Sequence, residues 1–262
     1  MTEPSRTRLV KSGDCIIEYD KILAVVIDRS ADQTLSPDLT QAFTGLHDPV
    51  NWFDPLCPAL HAQEVLIGGR AAAWFIHLGE QAGVLRHYRR GGWIVRLIKD
   101  RYFWLGASRS RAFSEFSIMQ SLWLNNLPVP QPLAAAIWRH GLTYRAALIT
   151  ARIEGAKPLA YTKDAGVWAE AGSVIARLHH AKTWHADLNV FNLLVDQHSR
   201  VWVIDFDRAR TGHLSPLQRS DNLSRLLRSV RKVAPELEQE FWPVLTQAYA
   251  LEEQELSRNV KE

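Results

Sequence analysis

The chain has 262 residues and 47% hydrophobic content, enough for one compact unit or two closely packed lobes around a proper core. A formal net charge of +3 argues against a nucleic-acid tail protein. Two cysteines, Cys15 and Cys57, exclude a disulfide framework and fit a reducing compartment. No long apolar run follows residues 1–6, and none approaches about eighteen residues, so neither a secretory signal nor a membrane-spanning helix is expected.

Residues 1–45 are the least legible; residues 15–17 and 22–27 read as short strands. Residues 37–60 carry scattered prolines and read as an irregular arm. From residue 64 the pattern sharpens. Residues 64–67, 73–78 and 82–88 read as strands separated by glycine turns. Residues 109–124 read as a helix with Phe113, Phe116, Ile118, Leu122 and Trp123 on its apolar faces, stopped by Asn125-Asn126-Leu127-Pro128. Residues 137–139 and 144–150 form a predicted hairpin through His140-Gly141, and residues 150–155 a connector. Residues 164–182 read as a long amphipathic helix that delivers the chain to His185.

The most informative stretch follows. His185-Ala186-Asp187-Leu188 has Asn192 five positions after Asp187, and Asp205-Phe206 begins thirteen positions after Asn192. At average residue usage, H-x-D-L-x-x-x-N alone should occur by chance in about one chain of this size per thousand. The distant Asp-Phe pair lowers that roughly another hundredfold. This is the catalytic-loop and metal-loop pattern of the protein-kinase-like phosphotransferases. Phosphoryl transfer asks a protein mainly for positioning and charge neutralisation. Asp187 would take the proton of the attacking hydroxyl, and Asn192 and Asp205 would offer oxygens to Mg²⁺, a hard cation. Residues 193–195 and 201–204, around a turn at Asp196-Gln197-His198-Ser199, read as a hairpin holding those two ligands side by side.

The fold expected is α+β and protein-kinase-like. An N-terminal extension would cover residues 1–60. Residues 61–150 would form an antiparallel-sheet N-lobe with one main helix, and residues 151–262 a small, mostly helical C-lobe. ATP phosphates would be covered by Gly68 and Gly69, where small residues admit backbone N–H groups. Arg86 stands where a strand lysine grips the phosphates, and its guanidinium can do so bidentately. Glu115 on the following helix is its natural ion partner.

The segment from Arg86 to Arg111 is strongly basic, with Arg89, Arg90, Arg96, Lys99, Arg101 and Arg109 against Asp100. Tyr88, Trp93, Tyr102, Phe103 and Trp104 interleave. Such a mix suits an anionic membrane surface, a nucleic acid or plain solvent. Ala234-Pro235-Glu236 resembles the end of a protein-kinase activation segment. However, Leu223, Leu226, Leu227 and Val230 mark a helix over residues 219–232, so Pro235 is read as starting the next helix. Ala186 replaces the arginine that would clamp a phosphorylated loop. The His179-His180 pair, with no third ligand nearby in sequence, reads as a helix end.

At these residues the chain resembles the 3-deoxy-D-manno-octulosonic acid (Kdo) kinases of Gram-negative lipopolysaccharide assembly. The likeness rests on Val84–Gly92, Ser110–Phe116, His185–Asn192, Ile204–Arg208 and Asn222–Ser229, within about residues 48–232. The resemblance implies ATP-dependent phosphorylation of a Kdo hydroxyl, the 4-position, on Kdo-lipid A precursor, with ATP and Mg²⁺. It also implies a peripheral location on the cytoplasmic face of the inner membrane. By motif match Asp187 is the base, Asn192 and Asp205 the metal ligands, and Arg86 the phosphate grip. Arg89, Arg90, Lys99 and Arg208 are candidates for acceptor or membrane contact. Neither nucleic acid nor an obligate protein partner is expected. Two further readings stand beside this one: another sugar or small-molecule kinase, such as a heptose kinase, and a catalytically dead kinase-fold binding module.

Overall fold

A computed structural model describes residues 7–12, 14–20, 46, 48–65, 73–88 and 101–259. The expected strand at residues 22–27 and the Gly68-Gly69 loop lie outside the described residues, as do Arg89, Arg90 and Lys99. The chain forms two compact units, Met1–Phe116 with Gln131–Arg152, and Ser117–Pro130 with Ile153–Glu262.

The first unit is built on an antiparallel sheet. Its strands are β1 (Thr7–Ser12), β2 (Cys15–Asp20), β3 (Gln63–Glu64), β4 (Ala73–Leu78), β5 (Gln81–His87), β6 (Tyr102–Phe103), β7 (Pro132–His140) and β8 (Thr143–Ala151). The order is β1-β2-β7-β8-β5-β4-β3, with β6 also paired to β8. Gly79 and Gly141 take φ of +62° and +59° at the tips of the β4–β5 and β7–β8 hairpins, as two-residue loops require. Residues 7–20, expected as part of an extension, thus supply two strands to the sheet.

The proline-rich arm also has more order than its sequence suggested. It forms 3-10 turns at Pro49–Phe53 and Pro58–Leu60, and Trp52, Phe53 and Leu60 are buried. They join Ile17, Tyr19, Ile76, Leu78, Leu85 and Ile149 in the core of this unit. Each such large apolar side chain contributes roughly 1.5–3 kcal/mol when fully buried. The Trp52 Nε1–H donates to the Leu46 carbonyl at 2.7 Å, so burying the indole leaves no donor unpaired. Helix α1 (Arg111–Leu124) follows β6, with the fully buried Phe116 and Met119 on its inner face.

The second unit carries β9 (Lys157–Pro158), α2 (Ala165–His180), β10 (Thr183–Trp184), β11 (Leu193–Val195), β12 (Val201–Val203), β13 (Arg210–Thr211), α3 (Pro216–Val233) and α4 (Glu238–Asn259). Asp164 caps α2 through the Gly166 and Val167 N–H groups. Helices α2 and α4 meet closely at Gly172, where a Cβ would sit 2.2 Å from the Leu245 carbonyl oxygen. Trp168 stacks on Phe241 beside it. Ser215 and Gln218 form a reciprocal capping box on α3. Pro235 opens a short 3-10 turn leading into α4, so a helix and its connector occupy the region after Asp205-Phe206.

Candidate active site

Asp187, Asn192 and Asp205 are brought together within the second unit by backbone pairing. Strands β11 and β12 are in register with Leu193 opposite Val203. One step beyond the ladder, the Ile204 N–H donates to the Asn192 carbonyl at 3.0 Å, so Asp205 follows immediately beside Asn192. The hairpin turn is closed by Asp196, which accepts from the backbone of His198 and Arg200 and from the Trp202 indole. Asp205 itself has φ of +63°, a left-handed conformation uncommon for a residue with a side chain. Such backbone outliers concentrate at functional sites, where the surrounding structure holds them.

The catalytic loop is tied internally. The side-chain amides of Asn189 and Asn192 both donate to the Asp187 carbonyl, at 2.9 and 2.8 Å. Asn189 Oδ1 in turn accepts from the N–H groups of Phe191 and Asn192. With its amide nitrogen on the Asp187 carbonyl, Asn192 keeps its Oδ1 as the atom that could meet a cation. The donors offered by Asn192 and Asp205 are all oxygens, which fits Mg²⁺ and would not hold a soft metal well. Asp187 is exposed.

Beneath the loop lies a polar network centred on the buried His185, Asn222 and His179. His185 Nδ1 accepts from the Asp187 N–H at 3.2 Å, while Nε2 donates to the Ile204 carbonyl at 3.0 Å. One neutral imidazole therefore links the residue before Asp205 to the backbone of Asp187. Burial, before any other influence, holds the His185 pKa below its ordinary value and keeps the ring neutral. Asn222 of α3 grips His185 from below, and also meets His179 Nε2 at 3.1 Å. His179 Nδ1 meets the Tyr249 hydroxyl at 2.8 Å. Ser229, two helical turns after Asn222, accepts from the Val190 N–H at 3.0 Å. Asn222, His179, Ser229 and Tyr249 were not singled out as site residues from sequence. Two sequence signals pointed to α3: the family likeness of Asn222–Ser229, and an asparagine on the apolar stripe, one turn before the buried Leu226 and two before Val230. His179 does lie in the last turn of α2, but as a buried link in this network.

In the first unit, Arg86 on β5 and Glu115 on α1 form an ion pair. Glu115 is 2% exposed and its other carboxylate oxygen accepts from the Tyr88 hydroxyl. The Arg86 guanidinium also lies 5.1 Å from the Tyr88 ring centroid. This is a charge fixed in place by a buried acid and an aromatic face, as a phosphate-gripping cation needs to be. Arg208, three residues after Asp205, is exposed with φ of +62°.

The sheet with helix α1, followed by the helical unit with its loop-and-hairpin assembly, is a protein-kinase-like α+β fold. A solved structure of a microcompartment-associated aminopropanol kinase shares it with a TM-score of 0.50 at 16% identity, over 80% of this chain and 78% of that one. The profile of the lipopolysaccharide kinase (Kdo/WaaP) family matches residues 64–249. A 3-deoxy-D-manno-octulosonic acid kinase of Stenotrophomonas maltophilia is 44% identical over 202 residues, 76% of this chain and 79% of that protein. One of Xanthomonas campestris pv. campestris is 44% identical over 199 residues, 74% and 78% of the two chains. One of Xylella fastidiosa is 42% identical over 202 residues, 76% and 79%. The chain belongs to the lipopolysaccharide kinase (Kdo/WaaP) family and is a kinase.

Proposed function

We propose that this kinase transfers the γ-phosphoryl group of ATP to the 4-hydroxyl of Kdo on Kdo-lipid A precursor, in lipopolysaccharide inner-core biosynthesis. The observation that carries the reading is the 44% identity to Kdo kinases over a segment that contains Asp187, Asn192 and Asp205. Asp187 takes the proton of the acceptor hydroxyl as that oxygen bonds to the γ-phosphorus and ADP departs. Arg86, held by Glu115, grips phosphate oxygens, and Gly68-Gly69 supplies the backbone cover. Asn192 and Asp205 would hold Mg²⁺, whose charge offsets that of the phosphates.

The acceptor is anchored in a bilayer, so the enzyme works as a peripheral protein on the cytoplasmic face of the inner membrane. No helix among the described residues is long and apolar enough to cross a membrane. The end of the β6–β8 region supports surface attachment instead. Phe103, Leu105 and Leu142 are 72%, 70% and 81% exposed, and Trp104 N–H donates to the Leu142 carbonyl, which sets them close together. Arg101, Arg109 and Arg139 are exposed nearby in the chain, and the Arg139 guanidinium lies 5.3 Å from the Trp104 ring. Apolar tips flanked by arginines suit an anionic headgroup layer, where each cation adds about 1 kcal/mol. Arg89, Arg90 and Lys99 belong to the same basic stretch of sequence, and Arg208 is proposed to face the acidic acceptor.

The test is mass spectrometry of Kdo-lipid A precursor incubated with the protein, ATP and Mg²⁺. One phosphate added to Kdo supports the reading. An unchanged Kdo acceptor alongside a phosphorylated heptose acceptor sinks it.

A further inference from the structure

Two aromatic side chains stand exposed beside the catalytic loop, and the network that shapes the loop makes no use of them. Phe191 lies between Asp187 and Asn192, 39% exposed, and Tyr161 is 67% exposed. Their ring centroids are 6.3 Å apart at an interplanar angle of 69°. The fold brings them together. Strand β9 pairs with β11, which begins directly after Asn192, and the 3-10 turn Leu159–Tyr161 follows β9. Leu159 and Ala160 are buried, so Tyr161 projects from an anchored turn. Phe191 is anchored as well, by its N–H bond to Asn189 Oδ1 at 2.9 Å and by the buried Val190 and Leu193 on either side. Two rigid aromatic rings left in water next to the group that must meet the acceptor hydroxyl mark a contact surface.

We propose that Phe191 and Tyr161 form the step on which the acceptor sugar rests, and that they select for its 3-deoxy carbon. The proposal deepens the reading of this protein as a Kdo 4-kinase and rests on it. In Kdo the two ring carbons beside C4 differ: C3 is a methylene and C5 carries a hydroxyl. With the 4-hydroxyl turned to Asp187, both lie beside it, and the methylene edge is the one that an aromatic face can cover without stranding a hydroxyl. An aromatic face, with its negative π cloud, accepts polarised C–H groups of a sugar ring and sheds water from them. A sugar with a hydroxyl at that carbon would instead press a polar group against a ring that offers it no hydrogen bond. Such a site discriminates modestly, by about 10–200-fold, as apolar contacts differing by one group do.

Steady-state kinetics of Phe191→Ala and Tyr161→Ala with Kdo-lipid A precursor, with ATP and acceptor varied separately, tests this. The acceptor KM should rise by about 10-fold in each, with the KM for ATP within twofold of the parent. Phe191→Trp should stay near the parent. The parent should prefer the 3-deoxy acceptor over the same acceptor carrying a hydroxyl at that carbon, and Phe191→Ala should narrow the preference. An unchanged acceptor KM in both alanine variants overturns the step while leaving the Kdo reading intact. So does a parallel rise in the KM for ATP, which would mark the pair as support for the loop as a whole. If the parent protein leaves Kdo-lipid unphosphorylated, the reading and the step fall together.

Discussion

The side-chain amide of Asn222 spans the backbone of His185, accepting from its N–H at 3.2 Å and donating to its carbonyl at 2.7 Å. The bonds run as they would from a neighbouring strand, but a helix supplies them through one side chain. Because His185 also carries the bonds to Asp187 and Ile204, this grip helps set where the backbone of Asp187 and of the residue before Asp205 lies. Asn222→Ala would leave the His185 backbone groups and the His179 ring facing a cavity, at about 1–3 kcal/mol for each unsatisfied group. The expected outcome is a lower melting temperature and a kcat reduced by up to about 100-fold through misplacement of Asp187. Asn222→Asp keeps the acceptor but loses the donor, and should fall between the two. Parent-like kcat in a folded Asn222→Ala variant would show that the loop holds its shape without the helix.

The Arg86–Glu115 pair predicts a different pattern. Arg86→Ala removes the cationic partner of a carboxylate that is 2% exposed, at about 2 kcal/mol of stability. It should also raise the KM for ATP without altering that for the acceptor. Arg86→Lys keeps the charge but not the two-pronged geometry, so ATP affinity should recover in part. Denaturant unfolding and nucleotide titration measure the two effects separately. An unaltered KM for ATP in Arg86→Ala would remove Arg86 from the nucleotide site.

Asp187, Asn192 and Asp205 should separate by role. Asp187→Asn keeps the side-chain shape but cannot take a proton, so kcat should fall by about 10²–10⁴-fold with nucleotide binding retained. Asp205→Asn and Asn192→Ala should instead raise the Mg²⁺ concentration needed for half-maximal activity. Titrating Mg²⁺ at saturating ATP distinguishes them; a parent-like Mg²⁺ requirement in both variants would place the metal elsewhere.

Much of this arrangement was legible because its determinants are local. Asn192 and Asp205 meet through a hairpin whose alternating apolar residues and Asp196 turn are contiguous in sequence. The Arg86–Glu115 pair followed from a strand and helix in the expected order. What escaped depends on partners far along the chain. Asn222 lies 37 residues from His185, and Tyr249 70 residues from His179, so the polar function of an asparagine on an apolar stripe shows only once the helices are packed. Likewise Thr7–Ser12 has a weak pattern as an edge strand. Trp52 and Phe53 become core only because the sheet offers them a face, a tertiary effect that proline-rich local sequence conceals.

The buried histidines give the fold a definite response to acid. His179 is enclosed by Asn222 and Tyr249, with Arg219 and Glu253 nearby, and burial pulls its pKa from 6.5 to about 4. Burial likewise lowers that of His185. In the unfolded chain both rings take up protons near pH 6.5, whereas in the folded chain they stay neutral. Unfolding therefore binds protons as the pH falls below about 6.5, and stability declines through that window. It is fully present above pH 6.5, and the contribution of His179 to the decline levels off near pH 4. For His179 alone the loss is on the order of 2 kcal/mol by pH 5. Urea unfolding at pH 7.5, 6 and 5 should show the midpoint falling stepwise. His179→Gln, which cannot take a proton, should start from a lower stability but lose less of it between pH 6.5 and 5. An equal decline in the two proteins would mean that His179 takes up its proton at the same pH in the folded chain as in the unfolded one.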